Sequence, residues 1–309
     1  MIKGSNIFIS GGMGFIGSHI AERLCQDNKV VIVDDLSSGF KKNIEAFKDK
    51  VTFIEADIYD KDLLNVLMGK YQFDYVFHLA AHVGNVVSLE NPILDMNTNV
   101  GGTIALLEAC RKHRIQKLVY SSSSAVYGDA RTLPIKEDAP KLPESPYACS
   151  KYAAEQYALA YDRIYNVPVI ALRYFNVYGT RQGSSEYANA IPVFFRNMKE
   201  GKVTIFGDGK QTRDFVNVKD VVEANILAAE CKLSGQVFNI ASGTSVTVNE
   251  LIKIIKIITK SDPEIVYVDR RKGEVLHSLA DIGMAKRLLG YEPKVNIGLG
   301  LNTYYEYTK

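Results

Sequence analysis

The sequence predicts an α/β protein in which a doubly wound parallel sheet is joined to a smaller C-terminal substrate domain. Three observations favour this fold. Short, wholly apolar runs, such as residues 7–9 and 30–33, are typical of strands that are buried on both faces. Turns that contain glycine and segments with helical spacing follow these runs, as the crossovers of a parallel sheet require. Small or polar residues stand where the runs end, at the sheet edge where such folds bind ligands.

The composition is that of an ordinary globular chain. Its 309 residues are enough for one large or two modest domains, and the formal net charge of +2 argues against a dedicated nucleic-acid binder. No apolar stretch reaches the length of a membrane span, and the first strand begins too early to leave room for a signal peptide. The four cysteines have no paired spacing, and His78 and His82 straddle a strand end. We therefore expect a cytoplasmic protein with reduced thiols and no metal site.

A glycine-rich turn lies between the first strand and the first helix. Gly11, Gly14 and Gly17 surround Phe15 and Ile16, and helical spacing covers residues 18–26. The first N–H groups of a helix are unpaired and lie at its positive end, so this turn is suited to a pyrophosphate. The three glycines would allow a tight turn, close approach of the pyrophosphate and close packing of helix on strand. A turn that binds nothing is the alternative.

The second strand ends at two acidic residues, Asp34 and Asp35. A carboxylate at this point accepts hydrogen bonds from an adenosine ribose and repels the 2′-phosphate of NADP. No Arg or Lys follows before Lys41, so the sequence favours NAD. The order of strand, glycine turn, helix and acidic strand end indicates a Rossmann-like, dinucleotide-binding sheet.

The predicted sheet continues with further strands and helices. Strands are predicted at residues 51–55, 75–79 and 117–120, and helices at residues 61–67 and 97–109. The small pair Ala80 and Ala81 at the end of the fourth strand permits a ligand to approach closely, as at the switch point of a doubly wound sheet. Two polar residues have structural alternatives here: Asp57 as a helix cap, and Asn99 as a partner of backbone groups.

A serine run and a Tyr–Lys pair are the strongest chemical signals. Residues 121–124 are serines at the carboxyl end of the fifth strand, where buried hydroxyls need partners. Tyr147 and Lys151 are four residues apart at the start of a helix predicted to reach about residue 165, so they share one face. A free tyrosine has a pKa near 10, and lowering it to about 7 needs roughly 4 kcal/mol, which a Lys cation and an oxidised nicotinamide can supply. The alternative is an ordinary helix pair.

The order of these motifs resembles the extended short-chain dehydrogenase/reductase superfamily, in particular its NAD-dependent UDP-hexose and UDP-N-acetylhexosamine 4-epimerases. Residues 11–17, 78–81, 121–123, 147–151 and 173–179 match the signature stretches of that family in order. The resemblance implies a catalytic triad of Ser123, Tyr147 and Lys151, and an NAD that is tightly bound and regenerated in each cycle. The residues it implies at the cofactor are Gly11, Gly14, Phe15, Ile16, Gly17, Asp34, Asp57, Ile58, Leu79, Ala80, Ala81, Asn99, Ser121, Tyr147, Lys151 and Tyr174.

The residues after Ser123 indicate the type of reaction. Family members that eliminate water carry an Asp–Glu pair there, and decarboxylating members carry a Glu in that region, whereas this chain has Ser124 and Ala125. The resemblance therefore implies C4 epimerisation. Tyr147 takes the proton of the C4 hydroxyl, hydride moves from C4 to NAD, and the 4-keto sugar rotates and takes the hydride back on its other face. The alternatives are a 4,6-dehydratase, a 4-keto reductase, or a non-catalytic binder of NAD or a sugar nucleotide.

The rest of the chain is expected to form the substrate half. We assign residues 1–176 to the NAD-binding domain, rejoined by about 214–242, and residues 177–213 and 243–309 to the sugar-nucleotide-binding domain. Helices are predicted at 193–199, 221–229 and 250–258, and strands at 203–207 and 237–240. From the residues alone, 270–274 is as well explained as a solvated basic loop, and Asp214 as a structural partner of Arg213. By resemblance, the substrate contacts are Ser123, Tyr147, Asn176, Asn189, Ile205, Phe206, Arg213, Arg271, Glu274 and Ser278.

Ser278 bears on the identity of the sugar. Its position matches a gatekeeper of the hexose pocket, which is a bulky Tyr in family members restricted to non-acetylated sugars and small in members that admit N-acetyl groups. A serine leaves room for the acetamide, so the resemblance implies interconversion of UDP-N-acetylglucosamine and UDP-N-acetylgalactosamine, with UDP-glucose and UDP-galactose as a further pair. The family also suggests a homodimer formed through the long helices after Asn99 and Tyr147.

Overall fold

The computed structural model describes residues 2–183, 190–270 and 275–309. Short apolar runs form most of its strands, and amphipathic segments form most of its helices. The strands are β1 (Asn6–Ser10), β2 (Lys29–Asp34), β3 (Val51–Glu55), β4 (Tyr75–His78), β5 (Lys117–Ser123), β6 (Val169–Tyr174), β7 (Asn176–Tyr178), β8 (Lys202–Phe206), β9 (Thr212–Asn217), β10 (Gln236–Ile240), β11 (Ser245–Thr247) and β12 (Glu264–Val268).

The helices connect these strands and cover the faces of the sheet. Two 3₁₀ segments (Lys41–Lys50 and Ser124–Tyr127) and one π-helical turn (Asn97–Gly101) accompany them. The α-helices are α1 (Phe15–Leu24), α2 (Lys61–Tyr71), α3 (Asn85–Glu90), α4 (Pro92–Met96), α5 (Gly102–His113), α6 (Pro146–Tyr165), α7 (Ala190–Glu200), α8 (Val218–Glu230), α9 (Val248–Thr259), α10 (Gly283–Leu289) and α11 (Ile297–Thr308).

The predicted doubly wound parallel sheet is confirmed. Within the described ranges, seven strands lie in the order β3-β2-β1-β4-β5-β6-β10, and every neighbouring pair is parallel. The chain runs outward from β1 to β3 and then returns to add β4 on the other side of β1. The carboxyl ends of β1 and β4 therefore diverge at a switch point, which is where this topology opens a binding crevice.

The core lies on both faces of this sheet because strand residues alternate in direction. Ile7 and Ile9 pack in the layer that contains α1 and α8, whereas Phe8 between them packs in the layer with α2, α5 and α6. The same alternation in β2 places Ile32 in the first layer and Val33 in the second. A sheet covered on both sides explains why the sequence shows continuous apolar runs in place of an apolar/polar alternation.

A second lobe contains the smaller sheets. β9 pairs in parallel with β7 and antiparallel with β11, and β8 pairs in parallel with β12. The apolar faces of α7, α9 and α11 pack together here, with Phe195, Leu251 and Tyr304 among the buried residues. This lobe follows the last residues of β6 and lies beside the carboxyl edge of the large sheet, so the cleft has walls from both lobes.

Several element bounds differ from the sequence-based expectation. The first helix begins at Phe15, three residues before the predicted start at residue 18, because the poor helix formers Gly14 and Gly17 conceal its first turn. The helix expected over 97–109 begins as a π-helical turn and continues as α5. Side chains at Gly101 and Gly102 would meet Tyr59 and Ile58 at 2.5 and 2.6 Å, so this start packs closely on the segment after β3.

Among the residues described, no helix combines the length and the apolarity that a membrane crossing requires.

Candidate active site

The candidate active site is a cleft of about 850 Å³ along the carboxyl ends of β1, β2, β4, β5 and β6. A cleft of this size at the switch point of a parallel sheet suits a dinucleotide or a nucleotide-linked ligand. The residues predicted for the site that line it are Gly11, Gly14, Phe15, Ile16, Gly17, Asp34, Ile58, Leu79, Ala80, Ala81, Ser121, Ser123, Tyr147, Lys151, Tyr174, Asn176, Arg213 and Ser278.

The glycine turn passes directly under the end of β4. Gly11 has a φ of +70°, and a side chain there would lie 2.6 Å from the backbone nitrogen of Ala80. A side chain at Gly17 would overlap the carbonyl oxygen of Gly11, so the first turn of α1 packs onto the end of β1 without a spacer. Gly11 and Gly17 are thus required by close backbone contacts within the chain. At Gly14 the space where a side chain would lie is largely open, and the residue lines the cleft.

The N-terminus of α1 is available to a ligand. Gly14 is the N-cap residue, and no side chain caps the helix. The unpaired N–H groups and the positive end of the helix dipole lie at the cleft wall, which suits a pyrophosphate. The residues present therefore fit a dinucleotide cofactor at this position.

Asp34 is the last residue of β2 and lines this groove. Its carboxylate accepts hydrogen bonds from the backbone N–H groups of Met13 and Leu36, each at 2.9 Å. Burial raises the pKa of Asp34, and those two bonds oppose the rise. Each oxygen of a carboxylate can accept two hydrogen bonds, so this side chain still has capacity for ribose hydroxyls.

A buried relay of side chains supports the end of β4. The hydroxyl of Ser10 bonds Nδ1 of His78 at 2.7 Å, and Nε2 of His78 bonds the Thr103 hydroxyl at 2.8 Å. The backbone N–H groups of Leu79 and Ala80 donate to the Ser10 hydroxyl. Burial lowers the pKa of His78 to about 3, so the ring is neutral at physiological pH. Both ring nitrogens of His78 have partners within the protein, and its role here is to hold the cleft wall.

Ser123 and Tyr147 come together from different elements. Ser123 ends β5 and caps the 3₁₀ turn by accepting from the N–H of Ala125 at 3.2 Å. Tyr147 lies in the first turn of α6, which Ser145 caps by accepting from the N–H of Ala148. Burial raises the pKa of Tyr147, and a hydrogen bond with Ser123 opposes the rise. In the chain alone the tyrosine is therefore protonated at neutral pH.

Lys151 is buried one helical turn beyond Tyr147, with 3% of the residue exposed. Its ammonium nitrogen lies 4.6 Å from the ring centroid of Tyr120. Burial lowers the pKa of Lys151 to about 7, while the carboxylates of Asp95 and Glu155 act in the opposite direction. The protonated state of Lys151 at neutral pH thus depends on the surrounding charges.

A buried ion pair behind the serine strand fixes α6 against the sheet. Arg173 in β6 donates two hydrogen bonds to the Glu155 carboxylate, at 2.8 and 2.6 Å. The Ser122 hydroxyl donates to the same carboxylate at 2.7 Å, and Arg173 also donates to the Tyr127 hydroxyl. Since Glu155 follows Lys151 by one turn, this network sets the rotation of the helix that carries Tyr147 and Lys151.

Ser278 lies in a segment held between the two lobes. Its N–H donates to the carbonyl of Thr212 in β9, and Ile135 pairs with Ala280 two residues later. The buried carboxylate of Asp214 accepts from the N–H of Ala280 and from Ser242 and Gly243. Asp214 thus ties this segment to the loop after β10 through Ser242, Gly243 and Ala280.

Some of the predicted residues lie away from the cleft wall. Asp57 is exposed and accepts from the N–H of Tyr59, while Asp60 is the residue that caps α2, so the cap alternative for Asp57 is wrong. Ile205 is buried in the core of the second lobe, and Phe206 ends β8. Asn99 is buried and its amide holds both backbone groups of His82, which is the structural alternative weighed for it. Asn189, Arg271 and Glu274 lie outside the described residues.

Several residues of the cleft were not predicted. Asn85 and Ser145 line it and are hydrogen-bonded at 2.9 Å, while Val86 and Leu89 form an apolar edge. Three of these four residues are on α3, whose six residues are too few for a helical period to be visible in the sequence. Ser145 could have been predicted as a helix cap, since a serine directly before a proline is a typical helix start.

Comparison with known proteins adds the family. The NAD dependent epimerase/dehydratase family matches residues 7–241. A putative UDP-glucose 4-epimerase of Methanocaldococcus jannaschii is 42% identical over 306 residues, with 98% of each chain covered. The structure of UDP-N-acetylglucosamine 4-epimerase from Methanobrevibacter ruminantium, in complex with UDP-N-acetylmuramic acid, is 40% identical with a TM-score of 0.95 over 99% of each chain. UDP-glucose 4-epimerase from Thermotoga maritima, with UDP-glucose, is 40% identical with a TM-score of 0.94 over 98% of each chain. The chain therefore belongs to the NAD dependent epimerase/dehydratase family.

Proposed function

We propose that this member of the NAD-dependent epimerase/dehydratase family is an isomerase that epimerises a UDP-sugar at C4 through a transient 4-keto intermediate. One observation carries the proposal: Ser123, Tyr147 and Lys151 line the same cleft as the glycine turn and Asp34. The residues after Ser123 are Ser124 and Ala125, which supply no additional acid or base for elimination. An enzyme with this set can oxidise and reduce one carbon, and the stereochemistry changes only if the sugar turns between the two events.

Each residue of the proposed triad has a distinct task. Tyr147 takes the proton of the C4 hydroxyl and later returns it, and Ser123 donates or accepts a hydrogen bond at the same oxygen. The Lys151 ammonium stabilises the Tyr147 phenolate, because an opposite charge nearby favours the ionised form of a phenol. NAD, when bound, supplies the hydride acceptor and donor for C4. Gly14 and the start of α1 would hold its pyrophosphate, and Asp34 its adenosine ribose.

The substrate pair that we propose is UDP-N-acetylglucosamine and UDP-N-acetylgalactosamine, with UDP-glucose and UDP-galactose also accepted. Ser278 lines the cleft and is a small residue, so the wall at this point has room for an acetamide group. The M. ruminantium relative is named for an N-acetylated sugar and was solved with one bound, which supports the same preference. Asn176 and Arg213 also line the cleft, and we assign them to the nucleotide side of the substrate.

We also infer a homodimer. Of the two helices expected at the interface, α5 and α6, α6 carries large exposed apolar side chains, with Ile164 65% exposed and Tyr157 and Tyr165 about half exposed. Ile93 and Met96 on α4, which precedes α5, are also exposed. We infer that a second copy of the chain covers these side chains. The molar mass of the protein in solution tests this, and Ile164→Glu should shift a dimer toward monomer.

A cytoplasmic location is inferred from the cysteines. Cys25, Cys110, Cys149 and Cys231 are all free thiols in the structure, which suits a reducing compartment.

The experiment that tests the enzymatic proposal is a product analysis of the purified protein with UDP-N-acetylglucosamine, and separately with UDP-glucose, without added NAD. We expect the C4 epimer from the acetylated sugar, which would also reveal a retained cofactor. Tyr147→Phe is the matched control, since it should still bind NAD but lose nearly all turnover. Epimerisation of UDP-glucose alone would contradict the assignment of Ser278. A 4-keto-6-deoxy product would identify a dehydratase, and no product with either sugar and added NAD would refute the proposal.

A further inference from the structure

Asp95 in α4 is a buried carboxylate beside the active site, with only 1% of the residue exposed. Its Oδ1 atom accepts a hydrogen bond from the amide of Asn99 at 3.1 Å. Its Oδ2 atom is buried and has no hydrogen-bond partner among the residues that the structure describes. A buried carboxylate oxygen without a partner is costly, so a nearby charge is expected to compensate it.

Two ionisable side chains can compensate this carboxylate. Arg173 is not one of them, because it and Glu155 neutralise each other through two hydrogen bonds, at 2.8 and 2.6 Å. The two are His82, whose Nδ1 lies 3.6 Å from Oδ1 of Asp95, and Lys151, the buried lysine on which the Asp95 charge acts. Of the two carboxylates that act on Lys151, Asp95 has the larger effect, although Glu155 is on the same helix.

Asn99 connects Asp95 mechanically to the catalytic helix. Its amide nitrogen donates to Asp95 and also to the Ser150 hydroxyl, at 2.9 Å. The Ser150 hydroxyl in turn donates to the carbonyl of Tyr147 at 3.0 Å. The carboxylate is thus held at a fixed place relative to the turn of α6 that carries both Tyr147 and Lys151.

We propose that Asp95 is a positioning residue whose carboxylate is the counter-ion of the Lys151 ammonium in the site where Tyr147 acts. The proposal rests on the roles given to Tyr147 and Lys151 in the proposed function. It explains how a lysine can remain charged in a pocket from which water is largely excluded. It also gives a function to α4, a helix that contributes no side chain to the cleft.

Other titratable groups face the same pocket. His82 Nδ1 lies 3.6 Å from Oδ1 of Asp95 and is buried without a hydrogen bond among the described residues. His78 is neutral, since burial lowers its pKa to about 3. The Tyr120 ring lies on Lys151, and burial raises the pKa of its hydroxyl. Glu155 is paired with Arg173, whereas Asp95 has no guanidinium partner among the described residues and has the larger effect on Lys151.

The charge of Asp95 makes a directional prediction. A negative charge favours the protonated form of any neighbouring acid, and Asp95 raises the pKa of both Lys151 and Tyr147. Removing that charge should therefore move both limbs of the pH–rate profile to lower pH, by about 1 pH unit. A loss of packing would lower the rate without moving both limbs in one direction.

The experiment compares three variants over a pH range. Asp95→Asn removes the charge and keeps the shape. His82→Lys places an amine beside Asp95, and the carboxylate favours its protonated form, which offsets the charge of Asp95. His82→Gln is the neutral control. We measure kcat against pH, and also the ultraviolet titration of Tyr147 in the NAD complex, taken as the difference from the same protein with Tyr147→Phe.

We expect Asp95→Asn and His82→Lys to shift the pH profile of kcat and the titration of Tyr147 to lower pH. His82→Gln should leave both within about 0.3 pH units of the parent. Unchanged limbs in Asp95→Asn and His82→Lys, or an equal shift in His82→Gln, would overturn the proposal. If Asp95→Asn does not fold, His82→Lys decides alone. If the parent has no epimerase activity, the proposed function fails, while the Tyr147 titration still tests Asp95.

Discussion

The ammonium nitrogen of Lys151 lies 4.6 Å from the ring centroid of Tyr120, in a pocket formed by β5 and α6. A desolvated cation over an aromatic face is stabilised by up to about 2 kcal/mol. This matters because burial lowers the pKa of Lys151 to about 7, close to the pH at which the proposed function requires this group to be charged. The aromatic ring and the carboxylates therefore share the task of retaining the proton.

The first prediction concerns this contact. Tyr120→Leu removes the ring, so the pKa of Lys151 should fall further and kcat at pH 7 should drop about tenfold. Tyr120→Phe is the matched control, because it keeps the ring and loses the hydrogen bonds of the hydroxyl to the Lys151 carbonyl, at 3.3 Å, and to Thr103. Its kcat should stay within about twofold of the parent. Equal losses in both variants would show that the hydroxyl, and not the ring, is what matters.

The second prediction links NAD affinity to pH through Tyr147. Burial raises the pKa of Tyr147 in the chain alone, and the positive nicotinamide should lower it. The NAD complex then binds fewer protons than the free protein, so affinity for NAD should increase as pH rises through the interval between the two pKa values. Calorimetric titration at a series of pH values measures this. The increase should vanish in Tyr147→Phe, and its persistence there would assign it to another group.

The third prediction concerns acid stability. His78 has a pKa of about 3 in the folded protein and 6.5 when unfolded, so the unfolded chain binds the extra proton between these values. Stability should therefore be lost as pH falls below 6.5, and this group accounts for about 2 kcal/mol between pH 7 and 5.

His78→Gln should be less stable at pH 7, because it disturbs the bonds to Ser10 and Thr103. The difference in its free energy of unfolding between pH 7 and 5 should nevertheless be about 2 kcal/mol smaller than in the parent. Urea denaturation at both pH values measures it. His113→Gln, at an exposed position, is the control and should retain the parent's pH dependence.

The fourth prediction separates two glycines of the cradle. At Gly14 an added side chain meets only the Gly11 carbonyl oxygen, at 3.2 Å, and otherwise points to the cleft. Gly14→Ala should therefore unfold near the parent temperature but bind NAD at least about tenfold more weakly. At Gly17 the side chain would overlap the Gly11 carbonyl. Gly17→Ala should lower the melting temperature even without NAD, and a parent-like melting temperature would contradict the packing role.

The fifth prediction tests the sugar pocket. Ser278→Tyr fills the wall beside the cleft, so kcat/KM for UDP-N-acetylglucosamine should fall by about 100-fold or more, because overpacking excludes the acetamide. The value for UDP-glucose should change by no more than about threefold. Ser245→Tyr, at an exposed position of β11 in the same lobe, is the control. Equal losses for both sugars would show that Ser278 is not a selective gate.

Much of the large sheet was predictable from the sequence. Buried parallel strands need apolar runs, and the turn needs glycine at Gly11 and Gly17 because backbone atoms approach within 3 Å of where a side chain would be. These requirements concern neighbouring residues, so they are visible as local patterns in the sequence. The assignment of Asp34 and Ser123 to one binding edge follows from the same logic, since parallel strands end together. Tyr147 and Lys151, which lie on a helix, were predicted from the order of the motifs and the resemblance, and all four residues line the cleft.

The sequence was less informative where a position depends on distant partners. α3 and α4 are too short to show a period, and neither Asp95 nor His82 stands out as a residue type in its local context. Asp57 shows that a local pattern can also mislead. An acidic residue shortly before a helix suggested a helix cap, but Asp60, three residues later, is the residue that caps α2.

The sequence alone determined the fold class and predicted the dinucleotide groove, because both depend on periodicity and on spacing within one strand–turn–helix unit. The proposed catalytic groups, which lie on different elements, were predicted from the resemblance to a family. Only the tertiary structure decided the charges around those groups. Arg173 is paired with Glu155, and Asp95 lies 3.6 Å from His82 and acts on the pKa of Lys151. Burial and electrostatic compensation arise from residues that are far apart in the chain and close in space, and no local pattern encodes which charge will meet which.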